Sequence, residues 1–307
     1  MTWKRYLLYN PFTLNTHRKG ITIMGNELEM LNDEMNTYLT AFESGNEEAL
    51  MEMSGQADPN NKPKMGLPRL NINYDTETDD GTLLRRGAWR IWNGSAPVYS
   101  DKVLVRPLLR TFEWSVWDQE EGKFSCKSVQ KRKLAGDFPD TLGGNKCGRL
   151  SRQEEEALGQ DDPRVLLSRS VSCNQVIYGI IDAPDALYAD GTAAPIEQMP
   201  FMAYFKRSGY RPVNDFIQKQ LTDRKILMHK ALIEFTTEKQ KNGGVIYWTP
   251  KLSFVKEVSD TDGDKALMKD FADTVNAHNE SVFAEYKNAQ KATASSEDID
   301  LSARLAG

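Results

Sequence analysis

Arg110-Thr-Phe-Glu-Trp-Ser-Val-Trp117 alternates without a break. Phe112, Trp114 and Val116 fall on one side, and Thr111, Glu113, Ser115 and Trp117 on the other. That is the two-residue period of a strand, not the 3.6-residue period of a helix. Glu120-Glu-Gly-Lys123 then reads as a turn into a second extended run, Phe124-Ser-Cys-Lys-Ser-Val129. The same grammar recurs on both sides of this hairpin. Asn71-Ile-Asn-Tyr74, Ala88-Trp-Arg-Ile-Trp92 and Lys102-Val-Leu-Val-Arg106 read as strands, with Asn93-Gly94 as a turn signal between the last two. Downstream, strands are expected over 165–170, 172–181 and 201–205. A long hairpin is expected over 227–236 and 245–255, joined near Asn242-Gly-Gly244. Residues 134–165 are rich in Gly, Asp and Glu and read as an irregular excursion with one short helix near 152–158.

Helical spacing appears in three other places. Leu28, Leu31, Met35, Tyr38, Leu39 and Phe42 form a stripe that Asn26 can cap and Gly45-Asn46 can end, and residues 47–53 suit a second short helix. A Gly/Pro/Asn/Ser-rich linker follows over 54–68. Residues 212–221 predict a short helix with Val213, Phe216, Ile217 and Leu221 as its apolar side. Residues 261–290 predict a longer one striped by Leu267, Phe271, Val275, His278, Val282 and Tyr286. The expected fold class is α+β and β-rich: an OB-like small β-barrel or sandwich with an N-terminal helical extension and a C-terminal helix. Four regions follow: the extension and linker 1–65, the β domain 66–257, the C-terminal helix 258–291, and an acidic tail 292–307 expected to be disordered.

Composition narrows the function. The chain has 307 residues, 39% hydrophobic and 27% charged, which excludes fibrous, collagen-like and wholly disordered classes. No run of about 18 apolar residues occurs, so no membrane partner is expected. Three cysteines, an odd and low number, argue against a disulfide scaffold. Arg18-Lys-Gly20 can be encoded by a purine-rich stretch at ribosome-binding distance before Met24. Translation is therefore expected to start at Met24, with 1–23 as an over-extended reading frame. The net charge is −5, but it is not evenly spread. Residues 82–150 hold 13 basic and 7 acidic side chains, between an acidic N-terminal part and an acidic C-terminal segment.

The usual catalytic signatures are absent. There is no phosphate-cradling Gly-x-x-x-x-Gly-Lys-Ser/Thr, no Gly-x-Gly-x-x-Gly after a strand and no Gly-x-Ser-x-Gly elbow. Gly143-Gly144 reads as a flexible turn. Cys126, Cys147 and Cys173 lack Cys-x-x-Cys pairing and have no nearby His, so they read as buried or half-buried free thiols. Zinc would need an unusual fourth ligand, and no cofactor is expected. Glu121-Gly-Lys123, with Asp101 or Asp118 upstream, has the acid–x–Lys form of metal-dependent nucleases, in which two carboxylates hold Mg²⁺ and the lysine steadies the attacking water. The glycine stands where such a site wants a rigid strand residue, and Glu-Glu-Gly-Lys is also what a hairpin turn looks like.

The richer pattern mixes cations with flat rings. Arg85, Arg86 and Arg90 flank Trp89 and Trp92; Lys102, Arg106 and Arg110 lead into Trp114 and Trp117; Lys127, Lys131, Arg132 and Lys133 follow. A second patch is Tyr204, Lys206, Arg207, Tyr210 and Arg211, and a third is Tyr247 with Trp248. Single-stranded nucleic acid needs this combination, cations to track phosphates and rings on which unpaired bases stack. A tryptophan on an alternating strand ordinarily belongs to the core, and Trp114 shares a face with Phe112 and Val116. Trp92 and Trp117, on more polar registers, are the better stacking candidates.

Gly87-Ala-Trp-Arg-Ile-Trp92, Val103-Leu-Val-Arg106, Cys147-Gly-Arg-Leu150, Phe201-Met-Ala-Tyr-Phe205 and Gly244-Val-Ile-Tyr-Trp-Thr-Pro250 together resemble proteins that tailed bacteriophages encode near their replication and recombination genes, some of them OB-type single-stranded DNA-binding proteins. The likeness spans about residues 66–257 and lies in strand order and texture. It implies a non-enzymatic accessory role in phage DNA replication or recombination, in the cytoplasm of an infected bacterium. Single-stranded DNA would be the partner and the acidic C-terminal segment the place where replication proteins dock. Apart from the resemblance, a homo-oligomer is compatible with the helices at both ends. The alternatives to DNA binding are the metal-dependent nuclease on Glu121 and Lys123 and a virion structural or assembly protein in which those helices mediate assembly. The ending Arg304-Leu-Ala-Gly307 departs from the acidic-then-aromatic ending of such tails.

Overall fold

A computed structural model of the chain describes residues 66–92 and 96–305, with side chains described as far as residue 292. The helices expected over 26–42 and 47–53, the start at Met24 and the Asn93-Gly94 turn lie outside the described residues. The described fold belongs to the second of two units, which divide between Met65 and Gly66.

Among the described residues nine strands form one mixed sheet. They are β1 (Arg69–Ile72), β2 (Trp89–Trp92), β3 (Pro97–Ser100), β4 (Val103–Asp118), β5 (Lys123–Lys127), β6 (Ser172–Ala183), β7 (Ile196–Phe205), β8 (Ala231–Asn242) and β9 (Val245–Glu257). The order is β3-β2-β1-β7-β6-β4-β8-β9, with β5 on the far end of β4. The β1–β7 pair is parallel and the others are antiparallel. Four helices accompany them: α1 (Arg152–Leu158), α2 (Pro163–Ser170), α3 (Tyr210–Phe216), which continues as a wider turn over Ile217–Thr222, and α4 (Asp264–Leu305). The protein is thus strand-rich α+β, as the alternation indicates. The ladder itself stays open, with β3 and β9 as edges. The sheet curls instead: the Trp89 indole Nε1 donates to the Phe235 carbonyl at 3.0 Å, joining β2 to β8 through a side chain.

Burial follows the curl. Leu70, Trp89, Ile91, Ile177, Phe201 and Phe235 line the inner face. Helix α3 and its extension close that face with Val213, Phe216, Ile217 and Leu221, the four residues its spacing marks as apolar. On the opposite face, Phe271 and Val275 of α4 cover Leu108, Val176, Tyr178 and Met202.

Three elements differ from expectation. The runs 102–106 and 110–117 are one strand, β4, which passes through Pro107 because the register against β6 shifts between Pro107 and Leu109. Gly179 stands opposite, where a Cβ would lie 2.3 Å from the Arg106 carbonyl oxygen. The expected strand at 165–170 is helix α2. Asp162 caps it by accepting from the Arg164 N–H at 2.9 Å, Pro163 occupies its first turn, and six residues are too few for periodicity to decide. Helix α4 does not stop near Gln290 but runs to Leu305, so 292–305 is helical rather than disordered. No Gly or Pro interrupts 264–305, and Ala292 and Ala294 favour continuation.

Arg106 pins α4 to the sheet. Its Nη1 and Nη2 donate to the Asp264 carboxylate at 3.0 and 2.6 Å, and its Nε donates to the His229 carbonyl at 2.7 Å. About a tenth of each charged side chain meets solvent. Desolvation alone would raise the Asp264 carboxyl. The Arg106 guanidinium and the N–H and hydroxyl of Thr261 outweigh it and hold the pKa at about 2. A depressed folded-state pKa means that this stabilisation is complete above the ordinary carboxyl value of 3.8 and is lost as pH falls through about 2. Thermal melts between pH 7 and pH 2 should show it. Asp264→Asn is expected to melt several degrees lower at pH 7 and to lose less stability on acidification than the native chain; equal acid slopes would contradict this.

Candidate nucleic-acid interface

The strand ends of β1 and β7 leave a cavity of about 290 Å³ between them, lined among others by Tyr74, Tyr204, Lys206, Ser208, Trp248 and Pro250. Hairpin β8–β9 supplies Trp248. Its backbone carbonyl accepts from the Tyr74 hydroxyl at 2.9 Å, the Tyr74 ring meets the indole edge-on at 6.2 Å, and the Arg86 guanidinium lies 5.0 Å over the indole. Gly87 makes this possible. Its φ is +87°, and a Cβ there would sit 2.2 Å from the Trp248 Nε1.

Lys206 leads out of this cavity into a second. Its ammonium lies 5.9 Å over Trp117 and 6.0 Å over Phe124, which themselves pack edge-to-face at 4.8 Å. The second cleft, about 550 Å³, runs between hairpin β4–β5 and α4 and is lined by Arg69, Trp117, Lys123, Phe124, Lys127 and Glu285, among others. On the other side, Ser208 and Pro250 are shared with a third cleft of about 630 Å³, which Arg207, Arg211, Tyr247 and Lys251 also line. The three clefts therefore adjoin one another along the end of the sheet. Trp92 is 41% exposed and pairs in the ladder with Arg69, so it extends the row beyond the second cleft.

Charge along this row is unbalanced. Lys206, Lys127, Arg69, Arg86 and Arg207 make no ion pair among the described residues. Acids occur as Glu285 in the second cleft and as Asp215 and Glu238 in the third. Desolvation first, and the adjacent Arg207 guanidinium second, lower the Lys206 pKa. Arg207 holds φ +48°, a left-handed backbone that is costly for a residue with a side chain.

The sequence-derived set thus divides. Arg86, Trp92, Trp117, Lys127, Lys206, Arg207 and Trp248 come together along the clefts. Arg106 does not, because it is buried against Asp264. Arg110 is half-buried over Phe112 at 4.6 Å and donates to Asn214 Oδ1 at 2.8 Å, and desolvation lowers its pKa. Lys131 lies over Phe138 and donates to the Asp137 carbonyl at 3.0 Å, which holds its own loop together. Arg85 pairs with Asp101, and Lys102 with Glu234 at 3.8 Å. Arg90 lies 3.7 Å from Asp75 with its guanidinium over Trp92 at 6.0 Å. Arg132 is exposed beside Lys131. Tyr204 lines the first cavity, but burial, and then the Glu113 carboxylate, push its hydroxyl far above the usual tyrosine range. Tyr210 is half-buried next to Cys173 and packs against the Phe112 cluster.

Sequence reasoning missed Arg69, Tyr74 and Phe124. Arg69 opens β1 and gains its neighbours through the parallel β1–β7 pair, for which a single sequence gives no signal. Phe124 follows the turn directly, but it stands opposite Trp117 only because the β4–β5 register shifts between Val116 and Trp117, which the alternation in the sequence does not display.

The nuclease pattern does not assemble into a carboxylate cluster. Lys123 pairs with Glu121 at 2.5 Å in an exposed turn, Asp118 accepts the N–H groups of Glu120 and Glu121, and Asp101 pairs with Arg85. No helix among the described residues is long and apolar enough to cross a membrane. Comparison with protein-family models, with curated proteins and with solved structures finds no match to this chain.

Gly87→Ala tests the cavity wall. The methyl and the left-handed φ should displace Trp248 and cost on the order of 1–3 kcal/mol. A changed near-ultraviolet circular dichroism spectrum with a lower melting temperature is expected; an unchanged spectrum would show that Trp248 does not sit against residue 87.

Proposed function

We propose that the protein binds single-stranded DNA without reading its sequence, along the three adjoining clefts at the end of the curled sheet. The observation that carries this is Lys206: a partly desolvated ammonium beside the Arg207 guanidinium, over two rings and in no ion pair among the described residues. The buried Glu113 carboxylate opposes desolvation and Arg207 only as the smallest of the three influences. A phosphate relieves that repulsion and replaces lost solvation. Trp117, 43% exposed, and Trp92 offer faces for bases, and Lys127, Arg69, Arg86 and Arg207 supply further phosphate contacts. On this reading the sheet serves as an OB-type platform, with rings carried by strands and cations by strand ends. We propose further that this activity serves DNA replication or recombination, as the sequence resemblance to phage proteins would imply, with the acidic C-terminal segment as the docking point for replication proteins.

A fluorescent oligothymidylate titrated at two salt concentrations tests the proposal. Affinity should fall steeply with salt, and tryptophan emission should be quenched. Trp117→Ala should weaken binding by roughly tenfold, one lost stack being worth about 1–3 kcal/mol. Lys206→Ala should reduce the slope of log affinity against log salt by about 0.7. Arg132→Ala, outside the clefts, should change little. No binding at either salt refutes the proposal. Cleavage in Mg²⁺ that Lys123→Ala abolishes would assign a nuclease instead.

A further inference from the structure

Hairpin β4–β5 and the loop after it converge on one small buried cluster. Cys126 Sγ, Cys147 Sγ and an Asp140 carboxylate oxygen all lie within 4.8 Å of one another, and all three residues are buried. Val116, Val171 and the Trp114 side chain pack around the sulfurs, and the Cys147 thiol donates to the Trp114 backbone carbonyl at 3.3 Å. Among the described residues this is the one group of three or more His, Cys, Asp or Glu side chains with such spacing.

Two further observations bear on it. Asp140 is 1% exposed, yet no Lys or Arg among the described residues pairs with it. Its partners are backbone N–H groups: Leu142 and Gly144 donate to Oδ1 at 3.0 Å each, and Cys147 donates to Oδ2 at 2.8 Å. Those bonds shape the loop and leave a lone pair on Oδ2 and a buried negative charge without a cation. The second observation is the backbone at Cys147. Lys146, Cys147 and Gly148 hold φ of +52°, +54° and +79°, and the first two are not glycine. A left-handed run of this kind persists where something beyond local preference fixes it. The result is that the Cys147 sulfur and its own N–H both point toward the cluster.

We propose that Cys126, Cys147 and Asp140 bind a divalent zinc ion. Two thiolates and a carboxylate suit a borderline-soft, tetrahedral cation, and the fourth position falls to water. Binding exchanges the two thiol protons for the metal and forms two sulfur–metal bonds and one oxygen–metal bond, with no change of oxidation state. The Thr141 hydroxyl, 3.7 Å from the Cys126 sulfur, is placed to donate to a thiolate. The ion would tie β5 to the 146–148 turn. It would thereby steady the wall of the second cleft, where Phe124, Lys127 and Thr141 lie. The assignment stands independently of the DNA proposal.

The test is cobalt substitution of the full-length, reduced, metal-free protein, with elemental analysis of the protein as isolated. Zinc near one equivalent per chain is expected as isolated. Cobalt should saturate at one equivalent, with a sulfur-to-cobalt charge-transfer band and the intense visible bands of a tetrahedral site. Cys126→Ser and Cys147→Ser should each lose most of that spectrum, and Cys173→Ser, whose sulfur lies outside the cluster, should keep it. Because the first two variants can fail to fold, the native titration decides by itself. A native chain that is folded by circular dichroism, fully reduced and without a cobalt spectrum overturns the proposal. So does a spectrum that survives in folded Cys126→Ser.

Discussion

A strand buried on both faces must find partners for the polar side chains it hides from water, and β4 carries many; only Arg110 Nε and Trp114 Nε1 on this strand are buried without a hydrogen bond among the described residues. Thr111, Glu113 and Ser115, the polar register of its alternation, are each 2% exposed or less. The Thr111 hydroxyl donates to Gln130 Oε1 at 2.8 Å, Gln130 Nε2 donates to Glu113 at 2.9 Å, and Asn174 Nδ2 donates to the Ser115 hydroxyl at 2.9 Å. The Tyr178 hydroxyl joins through Gln130. Helix α4 closes the network: Asn279 accepts from the Gln130 N–H at 2.6 Å and donates to its carbonyl at 3.0 Å, while His278 meets the Ser128 carbonyl at 3.0 Å. Burial raises the Glu113 carboxyl, and His278 and Gln130 pull against that rise. Without these partners, each polar group of the register would be stripped of water with nothing in exchange, which is costly in a low-dielectric interior. The placement of α4, and the cleft it helps to form, follow from this requirement.

The same register leaves the interior at Trp117. Two residues beyond Ser115 the network ends, and the next side chain on that face is exposed beside Phe124 and Lys206. One periodic pattern therefore builds the buried seam and delivers a flat ring to the candidate interface. Cations gather there because two unrelated turns, after β7 and after β4, leave the sheet at the same end.

Much of the fold was legible in the sequence. The strand alternation of 110–117, the β8–β9 hairpin at Asn242-Gly-Gly244, the buried side of α3 and the stripe of α4 are local patterns, and local periodicity is what a sequence displays. The burial of Thr111, Glu113 and Ser115 was not legible, because polar residues on an alternating strand ordinarily face water and the side chains they hydrogen-bond lie 17 to 59 residues away. Nor was the division of the basic residues. Arg106 and Lys206 are equally charged in sequence, and only the tertiary structure shows that Asp264 pairs with one while the other makes no ion pair among the described residues. The cysteines show the same limit: Cys126 and Cys147 are twenty-one positions apart, and Asp140 joins them through the fold of the loop.

The proposed DNA-binding surface is one row of clefts, from Trp92 through Trp117 and Lys206 to Trp248. Amide hydrogen exchange with and without a saturating oligothymidylate measures it most directly, because protection reports where backbone opening is suppressed. Slowed exchange is expected in the turn between β4 and β5, in residues 206–209 and in β9 around Trp248, with little change around Arg132 or Lys102. Protection concentrated around Arg132 and Lys102, or no protection while DNA is bound, would contradict it.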